Sequence, residues 1–315
     1  MIRTSGPISV ERYMSLCNAH YYATRDPLGA DGDFTTAPEI SQMFGEIVGA
    51  ALADCWLRAG SRAEAAYVEL GPGRGTLAAD ALKVLRQAGF AGDVHFVETS
   101  PRLRAEQAKR APGARWHEAV EDLPAVPMLL AANEFFDALP IRQWVGDDER
   151  GVTIDGDRLA FTADGPIRED SPTREEVVRS MARHLGKHGG VALIIDYGHA
   201  RSGDGDTLQA VRGHQFADVL ADPGEQDLTA HVDFEALAKA ATADATVTQV
   251  VSQSQWLERL GIGSRAAALA RAHPERAEKI AAERKRLCDA GAMGQLFKVM
   301  AMHAPSWPAP AGFAP

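Results

Sequence analysis

Three glycines set between two strand-ending acids make up the most chemically pointed stretch of this chain. Glu69-Leu-Gly-Pro-Gly-Arg-Gly75 follows a short β-rich run, Ala66–Leu70, and opens a helical pattern, Thr76–Ala88. Glycines at Gly71, Gly73 and Gly75 permit a tight turn with positive φ and let a ligand approach the backbone closely. A dinucleotide fingerprint, G-x-G-x-x-G, counted from Gly71 would place its third glycine where this chain has Thr76. The glycine comes one residue early, at Gly75. No Gly-Lys-Ser/Thr follows, which excludes a P-loop. Glu69, immediately before the turn, is a poor neighbour for a pyrophosphate and a good one for a cation. Glu98 ends the next strand, 23 residues past Gly75, where an acid can take both ribose hydroxyls. A nucleoside ligand with a positive charge answers all these features, and S-adenosylmethionine has that form in its amino group and sulfonium. The plain alternative is that both acids are strand-end surface charges around a generic turn.

The elements that must position these residues alternate. After Ala66–Leu70 and its helix come a strand Val94–Val97, a helix Pro101–Arg110 and an apolar strand Met128–Ala132. A helix near Arg174–Leu185, expected to stop at Gly186, and a strand Val191–Ile195 follow. Nearly unbroken apolar strands in a β-α-β-α order imply a parallel sheet covered on both faces. Gly294–Met300 reads as a strand nearer the sheet edge, and Ile40–Ala59 as a helix with Thr36 as its cap. Ile141–Thr162 reads as hairpins turning at Gly146–Gly151 and Asp155–Asp157. Arg201–His231 is long, polar and poor in apolar residues, the profile of a functional or disordered loop. The expected division is an N-terminal helical lid (1–60) and a core (61–200 and 233–303) carrying a hairpin insertion near 141–162. A substrate-side insertion (201–232) and an extended Pro/Ala-rich tail (304–315) complete it.

The chain has 315 residues, 33 Lys plus Arg against 43 Asp plus Glu, and a net charge of −10. That balance argues against a nucleic-acid-coating protein, which needs clustered basic residues. Cys17, Cys55 and Cys288 lie far apart with no metal-ligand spacing. His184 and His188 are expected to be misaligned by Gly186, so no metal is expected. No apolar run approaches a membrane span. The first residues lack the pattern of a signal or transit peptide, so a cytoplasmic address is expected.

Four runs together resemble the MidA family: Gly32–Gly45, Glu69–Leu77, Ala132-Asn-Glu-Phe-Phe-Asp-Ala-Leu-Pro140 and Asp227-Leu-Thr-Ala-His-Val-Asp-Phe234. The likeness extends from Tyr13 to about Ala301. These are class I S-adenosylmethionine-dependent methyltransferases that include a mitochondrial complex I assembly factor with protein arginine methyltransferase activity. The resemblance implies an α/β fold: a Rossmann-like seven-stranded class I methyltransferase sheet, its final strand antiparallel, with helices on both faces and an inserted substrate-binding region. It also implies a protein partner, a complex I subunit or a similar protein, whose arginine is methylated.

Arginine stays protonated at neutral pH, so its pocket must hold a cation, orient one nitrogen and accept a proton. Carboxylates meet the first two needs through forked hydrogen bonds. Glu134 is the expected guanidinium-orienting acid and Asp137 the second, both at the carboxyl edge of the sheet. Phe135 and Phe136 supply either a cation–π wall or core filling. His231, flanked by Asp227 and Asp233, either relays a proton or braces the loop, with Thr229 or Asp233 capping the next helix. Asp33, Thr35 and Asn133 join Glu69, Gly71, Gly73, Gly75 and Glu98 on the donor side. Asp196-Tyr-Gly198 is expected to line the target pocket from its far side.

Competing readings are a non-catalytic assembly chaperone that keeps the fold, motivated by Arg201–His231, and a nicotinamide oxidoreductase, disfavoured by the misplaced glycine. A nucleic-acid methyltransferase is disfavoured by charge and by the missing prolines of an Asn-Pro-Pro-Tyr loop. Nothing in the spacing speaks to oligomeric state.

Overall fold

The computed structural model describes residues 2–24, 35–213 and 215–313. Its centre is a sheet whose main path holds seven strands: β1 (Ala66–Leu70), β2 (Val94–Val97), β3 (Arg115–His117), β4 (Met128–Asn133), β5 (Gly190–His199), β6 (Thr246–Val247) and β7 (Phe297–His303). They lie in the order β6-β7-β5-β4-β1-β2-β3, and the two-residue strands Val232–Asp233 and Val251–Ser252 join at β5 and β7. β1 to β5 pair in parallel, and β7 runs antiparallel to both β5 and β6. The seven-stranded α/β sheet with an antiparallel final strand is therefore present. The last strand begins three residues later than expected, at Phe297, and lies near the sheet edge as expected, next to the two-residue edge strand β6.

Side chains alternate across this sheet with the two-residue period of a strand. Leu129, Ala131, Leu193 and Ile195 enter one apolar layer, beneath α2 (Gln42–Arg58) and α3 (Thr76–Gln87). Leu130, Ala132, Ala192 and Ile194 enter the other, covered by α5 (Pro172–His188) and α6 (Phe234–Ala241). Strands buried on both faces need apolar residues throughout, which explains their unbroken runs. Ser41 rather than Thr36 caps α2, accepting from the Met43 N–H at 3.3 Å.

α5 runs through Gly186 to His188. A Cβ at Gly186 would stand 2.5 Å from the Asp244 carbonyl oxygen, so this glycine allows a close approach and does not end the helix. The His184 and His188 rings consequently do meet, 4.8 Å apart and tilted by 53°, with His184 Nε2 on the Val126 carbonyl.

A second, antiparallel sheet joins Arg142–Val145, Asp148–Asp155, Arg158–Phe161 and Ile167–Asp170, with Ile8–Ser9 as its fifth strand. The N-terminal segment thus contributes a strand as well as α1 (Val10–Thr24). Residues 201–231 contain three short antiparallel strands, Gln209–Arg212, Gln215–Ala217 and Asp227–Thr229. Few apolar side chains hold them, but Ala210 and Leu228 pack with Val10, Tyr13 and Met14 of α1 in a third small core. The C-terminal tail is seated rather than loose, with Trp307 and Phe313 buried.

Candidate functional site

β1 ends at Leu70, and the chain then turns through Gly71, Gly73 and Gly75, at φ of +56°, +53° and +81°. All three lie in the left-handed region that side chains disfavour. A Cβ at Gly71 would also sit 2.9 Å from the Phe135 ring. The turn delivers the chain to α3, with Gly75 at its N-cap.

Beside this turn lies a cavity of about 500 Å³. Glu69, Gly71, Gly73, Glu98, Asn133 and Glu134 all line it, as do Tyr22 of α1 and Glu39. The structure thus brings together residues from the ends of β1, β2 and β4. Gly75 sits in the turn but not on the wall, and Thr35 is not on the wall although Thr36 is. Asp33 lies outside the described residues.

Glu69 is buried, its carboxylate accepting the Tyr67 hydroxyl at 2.6 Å, and burial pushes its pKa up to about 8. Glu98 accepts the Ser100 N–H at 2.8 Å and the Gln107 side-chain amide at 3.2 Å. Burial raises its pKa too, against these hydrogen bonds. Gln107 also donates to the Gly73 carbonyl at 2.7 Å. This fully buried amide on α4 (Pro101–Arg110) clips the glycine turn to the second acid. Nothing in the sequence marked it, because a glutamine inside a polar helix reads as surface.

Glu134 follows the last rung of β4, its N–H donating to the Ile195 carbonyl at 2.9 Å. It adopts φ +50°, a rare conformation for a residue with a side chain. Among the described residues, both hydrogen bonds to its carboxylate end on Oε1, from the Ala37 N–H at 2.9 Å and Asn133 Nδ2 at 3.1 Å. Burial lifts its pKa to about 7, helped by Asp137.

Asp137 and His231 do not reach this cavity wall. Asp137 is buried behind it, accepting its neighbour Ala138 N–H at 2.9 Å and hydrogen-bonded to Tyr197. His231 lines a separate cavity of about 320 Å³ with His199, Asp233 and Thr207. Its ring meets that of Tyr197 edge-on at 5.5 Å, and its backbone is tied to the acidic loop through Arg174. Burial lowers its pKa, with His199 adding to the effect. Asp233 caps α6 through the Ala236 N–H at 3.0 Å. Asp196 is fully buried and lines neither cavity, contrary to the expectation that it faces a target. Of the two aromatics, Phe136 is fully buried core while Phe135 lines the larger cavity.

The donor-side residues fit a nucleoside that carries positive charge. The cavity has the size of a small-molecule site, on the order of 300–1,000 Å³. Four glutamates, Glu39, Glu69, Glu98 and Glu134, line it with one arginine, Arg74. The buried Oδ1 of Asn133, a residue of the cavity wall, lacks a hydrogen-bond partner among the described residues, an acceptor a ligand can satisfy.

Comparison with known proteins agrees with this geometry. A curated relative from Danio rerio, "Protein arginine methyltransferase NDUFAF7, mitochondrial", is 36% identical over 322 residues, covering 84% of this chain and 75% of its own. Its Drosophila melanogaster homolog is 37% identical over 363 residues, covering 96% and 82%. The cytoplasmic address expected from the sequence is overturned by these relatives, which are named as mitochondrial proteins. A crystal structure of a COG1565 superfamily member from Burkholderia thailandensis, bound to S-adenosylhomocysteine, superposes with a TM-score of 0.85 at 27% identity, covering 99% of this chain and 92% of that one. The Methyltransf_28 model matches residues 47–252. The glycine turn, the acid-lined cavity and these matches converge: the chain belongs to the Methyltransf_28 family of S-adenosyl-L-methionine-dependent methyltransferases.

Proposed function

We propose that this protein methylates an arginine side chain of a protein, a subunit of respiratory complex I or a similar protein. The observation that carries this reading is the Glu134 carboxylate. It lines the donor cavity, is held on one oxygen only among the described residues, and has its pKa lifted to about 7. Such a carboxylate can grip one edge of a guanidinium and take up the proton its nitrogen must shed. Glu69 and Asn133 are assigned to the donor's charged amino acid portion, Glu98 to its ribose, and Gly71 and Gly73 to close backbone approach. Bound there, S-adenosylmethionine supplies an electrophilic methyl group on a sulfonium. Catalysis is then chiefly positioning: Glu134 must hold the accepting nitrogen in line with that methyl, and Phe135 walls the approach. Asp137 acts from behind, its negative charge keeping the Glu134 carboxyl basic. The relatives named as arginine methyltransferases support the choice of acceptor.

The test is incubation with methyl-labelled donor and purified recombinant complex I subunits, reading label on arginine. Arginine label lost in Glu134→Gln supports the reading. Donor bound without arginine label on any subunit counts against it. A Gly73→Val variant that loses donor binding yet still supports assembly of the complex would favour a non-catalytic chaperone.

A further inference from the structure

Asp196 of β5 lines neither cavity, yet it organises the loop that lines the larger one. Asp196 Oδ2 accepts the backbone N–H groups of Phe135, Phe136 and Asp137 at 3.2, 2.9 and 3.2 Å. Its Oδ1 accepts the Tyr197 N–H at 2.9 Å. Three consecutive amides on one oxygen form an anion-holding nest, here occupied by a side chain of the same protein. The buried Arg174 guanidinium donates to the carbonyl of Asp137, at the end of the loop, at 3.0 Å, and to those of Ala230 and His231 in a neighbouring segment at 3.0 and 2.6 Å. The loop is clasped by a buried anion on three of its amides and tied by a buried cation from its last carbonyl to residues 230–231.

The residue just before the three captured amides is Glu134. A left-handed conformation is unfavourable for a side-chain-bearing residue and persists only where its surroundings over-determine it. Glu134 is determined from both ends, by its ladder bond to Ile195 and by the captured amides that follow. We propose that Asp196 is a positioning residue for methyl transfer: by holding the amides of residues 135–137 it fixes the left-handed turn that directs the Glu134 carboxylate into the donor cavity. This rests on the role given to Glu134 above. Electrostatics agrees with the geometry. Burial raises the pKa of Asp196, the Asp137 and Glu134 charges add to that, and Arg174 opposes it.

The experiment compares Asp196→Asn, an isosteric change, with wild type and Glu134→Gln. Three readouts apply: S-adenosylhomocysteine affinity by calorimetry, the infrared carboxyl band that disappears in Glu134→Gln, and methyl transfer to the arginine acceptor. The expected result is donor-product affinity within about twofold of wild type, a Glu134 band titrating at lower pH than wild type because the carboxyl gains water, and kcat reduced at least about tenfold with the donor KM held. Asp196→Asn with the band and kcat of wild type overturns the proposal, as does product affinity falling in step with kcat. If Glu134→Gln is itself fully active, the role of Glu134 falls. If only Asp196→Asn is active, the positioning proposal alone falls. Should Asp196→Asn not fold, hydrogen exchange in wild type decides. Amides of Phe135, Phe136 and Asp137 protected like those of β4 support the clasp, and exchange at open-loop rates overturns it.

Discussion

Replacing Glu69 by Gln should change both the strength of donor binding and its dependence on pH. The buried Glu69 carboxyl has its pKa pushed up to about 8, so below that pH the empty site holds mostly the neutral acid. A cationic ligand needs the carboxylate. At pH 6 only about one molecule in a hundred is ionised and at pH 8 about half, so with the ionised form binding roughly 10- to 150-fold tighter than the neutral acid, affinity should rise roughly 5- to 30-fold between them through this group. Gln keeps the shape and still accepts the Tyr67 hydroxyl, but it cannot titrate. Against the ionised form, its loss of a charge-assisted contact costs about 1.5–3 kcal/mol, or roughly 10- to 150-fold in affinity. At pH 6, where wild type is itself mostly neutral, the two proteins should nearly coincide. Stability has the opposite sign. A carboxyl whose pKa is raised on folding gives stability that is full below its unfolded value and lost as pH rises through its folded value. The ligand-free wild type should therefore lose thermal stability from pH 6 to pH 8 relative to the variant. Calorimetry with S-adenosylhomocysteine at pH 6, 7 and 8 checks the binding arm. Glu98 shifts in the same direction, so the diagnostic is the ratio of the two affinities. A ratio constant across this range would refute the argument.

Three further outcomes are expected. Glu134→Gln should lower methyl transfer at least about 100-fold while leaving S-adenosylhomocysteine affinity within about twofold, since removing one transition-state contact costs on the order of 3 kcal/mol. Gly71→Ala forces a Cβ to 2.9 Å from the Phe135 ring at a φ of +56°. It should lower unfolding free energy in urea by about 1–2 kcal/mol and weaken donor binding. Arg174→Met removes three carbonyl contacts and leaves Asp137 and Asp196 without their buried cation. A loss of about 3–5 kcal/mol in urea unfolding is expected, and a loss below 1 kcal/mol would contradict the clasp.

What could be read in the sequence was what depends on one residue and its near neighbours. A left-handed turn is a local demand, so Gly71, Gly73 and Gly75 announced it. Strands buried on both faces write themselves as apolar runs, and an acid at the end of such a run must stand at the carboxyl edge, which placed Glu69, Glu98 and Glu134. What escaped depends on partners far along the chain. Asp196 follows an apolar run and reads as a strand-end acid like the others, but β5 continues to His199, and only the folded loop of residues 133–137 makes it a support instead of a wall. Gly186 looked like a helix stop because the neighbouring Asp244 carbonyl, which requires it, is 58 residues away. His231 carried the acid-flanked pattern of a catalytic histidine, but nothing local shows that it lines a separate cavity.

The acidic residues around the site are related in a way that none shows alone. Glu69, Glu98, Glu134, Asp137 and Asp196 are each raised in pKa, and in each the largest cause is burial. Burying a carboxylate is unfavourable unless it is neutralised or paired. Asp137 and Asp196 have their cation built in, for Arg174 pulls both pKa values back down. Glu69, Glu98 and Glu134 line the cavity instead; among the described residues Arg104 and Arg286 lower the pKa values of Glu98 and Glu134 as the least of their causes, and no fully buried arginine is set against these three as Arg174 is set against the inner pair. The protein thus separates its acids into an inner pair balanced during folding and an outer set left to be balanced by what binds. A positive donor and a positive acceptor are the pair of ligands that such a division favours, and each should draw protons off the outer set as it binds. Proton release on adding S-adenosylhomocysteine at pH 7, seen as a dependence of the binding enthalpy on buffer ionisation, is the direct consequence, and it should shrink in Glu69→Gln.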